Sequence, residues 1–304
     1  MESLPKPDPK PTTAVATLHD APEVRLTALD TLWFQVTGTV CNLACRHCFI
    51  SCSPTNHTHE MLTVEAIASH LAEGVTLGVR EVYFTGGEPF LHPRMEEILA
   101  LSLAVAPTTV LSNGLLIDAA RAARLAAIAA GSRYSFDVRI SLDGYDAASN
   151  DPVRGEGSFE RALAAVQHLA EAGLEPVLTV TEVLPESVGA AGRERFLALL
   201  RAAGVRHPRL KVLPLFQLGA EAERGEAYAP WQRLRADEHP GETWEHLQCS
   251  SSRMVTEAGV WVCPILVNEP GARMGERLSD TLRPFPLAHA ACWTCHAYGV
   301  SCRT

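Results

Sequence analysis

Between residues 31 and 218 the chain alternates short apolar runs with longer segments whose apolar residues recur every three or four positions. Short runs rich in β-branched and aromatic residues and bounded by glycine read as strands, and the longer periodic segments read as helices. LWFQVTG, EVYFTGG, TTVLSNG, FDVRISLDG, EPVLTVTEV and RLKVLPLFQLG therefore predict six strands. TVEAIASHLAEGVTLG, RMEEILALSLAVA, DAARAARLAAIAAG, SFERALAAVQHLAEAG and GRERFLALLRAAG predict five amphipathic helices between them. The first helix stops at Gly78, and Ser158 is a candidate N-cap of the fourth. Strict alternation of this kind predicts an α/β fold with a parallel sheet and helical crossovers.

The pattern changes at both ends. Residues 1–22, starting MESLPKPDPKPTTA, are Pro-rich and polar and read as a tail without the apolar core of a signal peptide. Residues 23–218 form the α/β unit. Residues 219–304 begin with a charged stretch to 248, continue with SSRMVTEAGVWVCP, a predicted hairpin turning at Gly259, and end in a cysteine-rich segment.

Composition narrows the class. With 304 residues and 47% hydrophobic content the chain can bury a large core. It holds no run of about 20 apolar residues, so no membrane partner is expected and the cytoplasm is the default compartment. Nine cysteines in such a compartment point to metal ligands or reactive thiols and away from a disulfide framework. The basic residues form no run suited to a phosphate backbone, so nucleic acid is excluded as a partner.

Three of the thiols, Cys41, Cys45 and Cys48, stand in a C-x-x-x-C-x-x-C frame, CNLACRHC, directly after the first strand. Three thiolates can hold an iron–sulfur cluster and leave one iron open to a further ligand; the bland alternative is a zinc site. Gly86-Gly87-Glu88-Pro89 follows the second strand, and two glycines let backbone approach a ligand closely. Ser112-Asn113 follows the third strand, and Ser141 with Asp143 the fourth; as bare residues these are polar turns.

In these motifs the chain resembles the radical S-adenosylmethionine (SAM) family. The resemblance implies a partial (β/α)6 barrel, of the TIM type, with the chemistry at the C-terminal strand ends. It implies a [4Fe-4S] cluster on Cys41, Cys45 and Cys48 that binds SAM and cleaves it to a 5'-deoxyadenosyl radical. It also implies SAM contacts from Phe49, Gly86, Gly87, Glu88, Ser112, Asn113, Ser141, Asp143 and Arg154, and an electron donor such as flavodoxin or ferredoxin. The five C-terminal thiols resemble the family's shortened, twitch-like auxiliary domain and imply a second [4Fe-4S] cluster. A closed cluster needs four ligands, so one thiol is surplus. One assignment gives Cys263, Cys292, Cys295 and Cys302 to the cluster and leaves Cys249 as a hydrogen-atom donor; the other makes Cys249 the first ligand.

A donor thiol beside a carbon radical would invert a stereocentre, and the chain resembles the family's aminoglycoside epimerases. That implies conversion of neomycin C to neomycin B at C5''', with Cys249 as catalytic residue and Cys52 as an alternative donor. A formal charge of −9 suits a polycationic aminoglycoside substrate, with Glu182, Glu221, Glu223 and Glu226 as candidate ammonium contacts. Three other readings stand beside it. One is a radical SAM dehydrogenase of an aminosugar alcohol, and another a peptide-modifying maturase, against which no leader-binding domain is expected ahead of the barrel. The third is a non-catalytic iron–sulfur or zinc protein.

Overall fold

A computed structural model describes residues 20–225 and 227–300. The six predicted strands all form: β2 Thr31–Gln35, β3 Glu81–Thr85, β4 Thr108–Ser112, β5 Phe136–Ser141, β6 Val177–Thr181 and β7 Arg209–Leu213, after a short β1 at Glu23–Val24. They pair in parallel in sequence order, with Trp33 opposite Tyr83 and Val110 opposite both Phe84 and Val138. The crossover helices are α1 Val64–Thr76, α2 Met95–Leu103, α3 Ala119–Ala130, α5 Ser158–Glu171 and α6 Gly189–Ala202.

Within the α/β unit one helix escaped the periodicity, α4 at Ala147–Arg154, because its sequence AASNDPVR is polar and contains Pro152. It is held instead by a capping box between Asp146 and Ser149. The Ser158 expectation is corrected at the same place. Gly157 is the N-cap, and the Asp151 carboxylate accepts from the Gly157 and Phe159 N–H groups and from Ser158 Oγ.

The residues after 218 build onto the same sheet. After α7, Gly219–Arg224, the predicted hairpin forms as β8 Ser252–Thr256 and β9 Gly259–Trp261, and β10 Arg273–Gly275 pairs with β9. β8 lies parallel to β2, which extends the order to β10-β9-β8-β2-β3-β4-β5-β6-β7. A second, two-stranded sheet joins β1 to β11, Phe285–Pro286, and α8, Ala290–Tyr298, follows.

Side-chain alternation along the strands divides the core in two. Leu32, Phe34, Val82, Phe84 and Ile140 face the crossover helices. Trp33, Tyr83 and Met254 face the other way, with Trp261 and the C-terminal cysteines, and the Trp33 and Tyr83 rings stack at 4.4 Å. One cavity is lined by residues of every strand from β2 to β8, so the sheet curves around it as an incomplete barrel.

Candidate functional site

The mouth of that cavity is the loop between β2 and α1. Thr39 Oγ1 donates to Asn56 Oδ1 at 3.0 Å, Asn56 Nδ2 to the Ser51 carbonyl at 2.8 Å, and the Cys41 N–H to the Ser53 carbonyl at 3.1 Å. Ser51 takes φ 53° to make the turn. α4 supplies the outer wall: the Arg46 N–H donates to the Val153 carbonyl at 2.9 Å, and Cys45 Sγ lies 3.7 Å from the Arg154 carbonyl. The C-terminal region closes the other side through Asn268, whose Nδ2 reaches the Ile50 carbonyl and whose Oδ1 lies 2.8 Å from His59 Nε2.

Cys41, Cys45 and Cys48 all line the cavity, and so does Cys52. Burial pushes the Cys41 thiol up to about 12 and raises Cys45, whereas a hydrogen bond from the Cys52 thiol brings Cys48 down to about 6. Arg154 favours the thiolate at Cys45 and Cys48, the form that binds metal.

The two glycines of GGEP serve the close approach expected of them, against protein. A Cβ on Gly87 would stand 1.9 Å from the Val40 carbonyl oxygen, and one on Gly86 2.3 Å from Thr37 Oγ1. Both glycines line the cavity. Glu88 does not; it is fully buried beneath it. Its carboxylate accepts from Ser112 Oγ and the Asn113 N–H, each at 2.8 Å, and from the Phe90 N–H at 3.1 Å. Asn113 in turn donates from Nδ2 to Asn42 Oδ1 at 2.7 Å and lies 3.7 Å from Cys41 Sγ. Glu88 therefore braces the β4 turn, and through it the first cysteine.

Burial raises the Glu88 carboxyl to about 7 against these three donors. The unfolded carboxyl titrates near 4.5, so its contribution to stability is full below that pH and declines as pH rises to about 7. We expect the metal-free chain to lose more of its urea midpoint than Glu88→Gln between pH 4.5 and 7. Parallel midpoints for the two proteins would refute this.

Asp143 is also fully buried and does not line the cavity. It pairs with Arg154 Nε at 2.7 Å, lies 3.3 Å from His47 Nε2, and accepts the Thr181 N–H at 2.8 Å. Of the expected SAM contacts, Phe49, Ser112, Asn113, Ser141 and Arg154 line the cavity with the two glycines, and His47 lines it beside them. Burial lowers His47 to about 4 despite the pull of Asp143. Sequence reasoning missed His47, although it sits inside CNLACRHC, and missed Asn150, whose Oδ1 accepts the Asp143 N–H at 3.0 Å.

Of the four candidate ammonium contacts, the three described ones do not line the cavity. Among the described residues no carboxylate lines the cavity. Glu182 follows β6, and its N–H pairs with the Leu213 carbonyl; Glu221 and Glu223 lie on α7. That helix backs the cysteine loop, since the Ala220 N–H donates to the Cys48 carbonyl at 3.0 Å. Glu226 lies outside the described residues.

Cys249, Cys263, Cys292 and Cys295 meet in a second, apolar cavity that adjoins the first at Ile265. Cys249 sits in the turn Gln248–Ser250, and burial pushes its thiol up to about 11. The buried Arg253 holds that turn by donating to the carbonyls of Cys249 at 2.8 Å and Thr281 at 2.9 Å. Cys302 lies outside the described residues. No disulfide joins the eight described cysteines.

Residues 36–200 match the profile of the radical SAM superfamily, and the chain belongs to that superfamily. It is 36% identical over 201 residues to the mycofactocin maturase MftC of Mycobacterium ulcerans, covering 64% of this chain and 52% of the relative. It is 35% identical over 150 residues to the AdoMet-dependent heme synthase of Nitratidesulfovibrio vulgaris, covering 49% and 39%. The chain thus spans about half the length of the curated relatives it matches. In fold it is similar to Streptococcus suis SuiB bound to its precursor peptide SuiA, with a TM-score of 0.63 at 14% identity over 84% of this chain and 64% of that one. It is also similar to anSMEcpe with bound AdoMet, with a TM-score of 0.60 at 16% identity over 83% and 77%. Superfamily membership implies a [4Fe-4S] cluster and SAM, and the thiol-lined cavity fits both. Among the described residues no helix is long and apolar enough to cross a membrane.

Proposed function

We propose that the chain is a radical SAM epimerase of an aminosugar, converting neomycin C to neomycin B by inversion at C5'''. Cys41, Cys45 and Cys48 would hold the cluster, and Gly86, Gly87, Ser141 and Phe49 line the cavity that would take its SAM. Bound there, the two would supply a 5'-deoxyadenosyl radical able to take one hydrogen atom from the sugar carbon. A thiol then returns a hydrogen atom from the opposite face, so the sugar undergoes no net oxidation.

The observation that carries this reading is a supply of thiols beside the cavity beyond the three that a cluster needs. Cys52 lines the cavity, and Cys249 lies in the adjoining one. We assign the return to Cys249, whose thiol gives up its hydrogen atom and is restored by one electron from the external reductant and one proton; Cys263, Cys292, Cys295 and Cys302 would hold a second cluster, which would supply one-electron chemistry beside it.

The test is turnover of the anaerobically reconstituted chain with SAM, a reductant and neomycin C in deuterated water. One solvent deuterium at an inverted C5''', with 5'-deoxyadenosine formed, is expected. A product two mass units lighter would make the chain a dehydrogenase. Cys249→Ala should keep its iron and its SAM cleavage and lose inversion. A variant that loses iron places Cys249 in the second cluster and leaves Cys52 as donor, which Cys52→Ala then tests.

A second reading, a peptide-modifying maturase, is favoured by the 36% identity to the mycofactocin maturase. It expects no turnover of neomycin C and modification of a ribosomal peptide instead.

A further inference from the structure

The chain carries a cluster of metal-binding side chains that neither cavity uses. Glu242, His246 and His296 each offer a ligand atom, and these atoms lie within 4.8 Å of one another. His246 Nε2 stands 3.1 Å from His296 Nδ1, and His246 Nδ1 stands 3.4 Å from Glu242 Oε1. Two imidazole nitrogens on one tetrahedral zinc ion stand about 3.3 Å apart, given zinc–nitrogen bonds near 2.05 Å. The pair is therefore spaced for a shared ion as closely as for a shared proton; Glu242 stands beside the other nitrogen of His246, and its exposed side chain, within 4.8 Å, would have to swing round to join the same ion.

The backbone that presents Glu242 and His246 is not a helix, so their four-residue spacing does not by itself put them on one face. Trp244, between them, is 3% exposed and has φ 61°, an uncommon conformation for a bulky residue. Anchoring that indole turns the chain so that both neighbours face α8. Its ring lies 5.2 Å from the His296 ring, and the His239 ring lies 5.0 Å from His296 on another side. The site is open to solvent at Glu242 and His246, which leaves room for water as a fourth ligand.

We propose that Glu242, His246 and His296 bind one divalent transition-metal ion of the zinc class and that this ion staples the segment before Cys249 to α8. Two imidazoles and a carboxylate are a donor set that such ions accept, and calcium or magnesium would prefer oxygen alone. Binding replaces the proton held between the two imidazoles and changes no oxidation state. The position gives the staple a consequence. His296 follows Cys295, and Cys292 and Cys295 on α8 line the second cavity with Cys249, three residues beyond His246. One ion thus fixes the two segments that bring three of those thiols together, and it does so whichever reaction the chain performs.

The test uses the full-length, cluster-reconstituted protein without a polyhistidine tag, cleared of loose metal by chelation and titrated anaerobically with cobalt(II). One cobalt per chain is expected, with weak visible bands and without the intense thiolate-to-cobalt charge transfer that occupation of a cysteine site would produce. His246→Ala and His296→Ala should each weaken binding by more than the roughly 10–100-fold lost when an outer-shell partner is removed. His246 is exposed, so that variant should keep its iron content and far-ultraviolet circular dichroism. Zinc should raise the thermal midpoint of the parent protein and not that of His246→Ala. No cobalt binding, a thiolate charge-transfer band, or equal affinity in the parent and both variants would overturn the proposal.

Discussion

Gly87→Ala should yield a folded chain that retains almost no iron at Cys41, Cys45 and Cys48 and forms no 5'-deoxyadenosine. The added methyl would stand 1.9 Å from the Val40 carbonyl oxygen and 2.7 Å from the Cys41 N. Both are backbone atoms, so no rotamer change relieves the contact, and either the β3 turn or the cysteine loop must move. The Glu88 N–H donates to the same Val40 carbonyl at 3.1 Å, so moving either element also breaks that link. Overpacking of this kind costs roughly 1–3 kcal/mol, well within a domain's stability, whereas a displaced ligand loses the site. Gly78 is the control. It has φ +89° with nothing within 4 Å of a built Cβ, so Gly78→Ala should cost only about 1–2 kcal/mol of backbone strain and keep the iron. Iron per chain and deoxyadenosine yield, measured on both variants, decide the matter; a fully loaded Gly87→Ala would remove the argument.

The largest loss of stability is expected from Asp143→Ala. It leaves the Arg154 guanidinium, 8% exposed, without the carboxylate 2.7 Å away, and strips the Thr181 N–H of its acceptor. Breaking a buried pair from one side costs roughly 3–5 kcal/mol, because the remaining charge stays desolvated. Burial works against the charged form of Arg154, and Asp143 is the leading influence that restores it. The damage should extend to metal binding, since Arg154 ends α4, whose carbonyls meet Arg46 and Cys45. A double variant, Asp143→Ala with Arg154→Leu, should recover much of the urea midpoint and none of the iron. If the single variant unfolds at the parent's denaturant concentration, the pair contributes nothing to the fold.

Much of the fold was legible along the chain because its signals are local. Each of the six strands and five crossover helices carries its own periodicity, and their alternation admits few topologies. α4 was not legible, since Pro152 and short polar residues favour turns, and the Asp146–Ser149 capping box that holds the segment leaves no apolar periodicity. The partnership of β8 with β2 was equally hidden. A hairpin announces its own turn, but nothing in SSRMVTEAGVWVCP names the strand 221 residues earlier, at Thr31, that Ser252 lies beside.

The site divides in the same way. The cysteine spacing and the glycine pair were readable because a cluster and a close backbone approach require those residue types. The uses of the carboxylates were not, for Glu88 and Asp143 differ from an exposed acid only in what surrounds them. His47 and Asn150 carried no signal beyond being polar residues near a motif.

By itself, then, the sequence determined the α/β class, the order of the strands and the three thiols after the first, because spacing and periodicity are properties of neighbours in the chain. Only the tertiary structure decided that Glu88 and Asp143 lie beneath the cavity as braces, and that no described carboxylate lines its wall. It also brought Cys249 together with Cys263, Cys292 and Cys295. Those outcomes depend on desolvation and on contacts between residues far apart in the chain, which exist only once the sheet has curved and buried them.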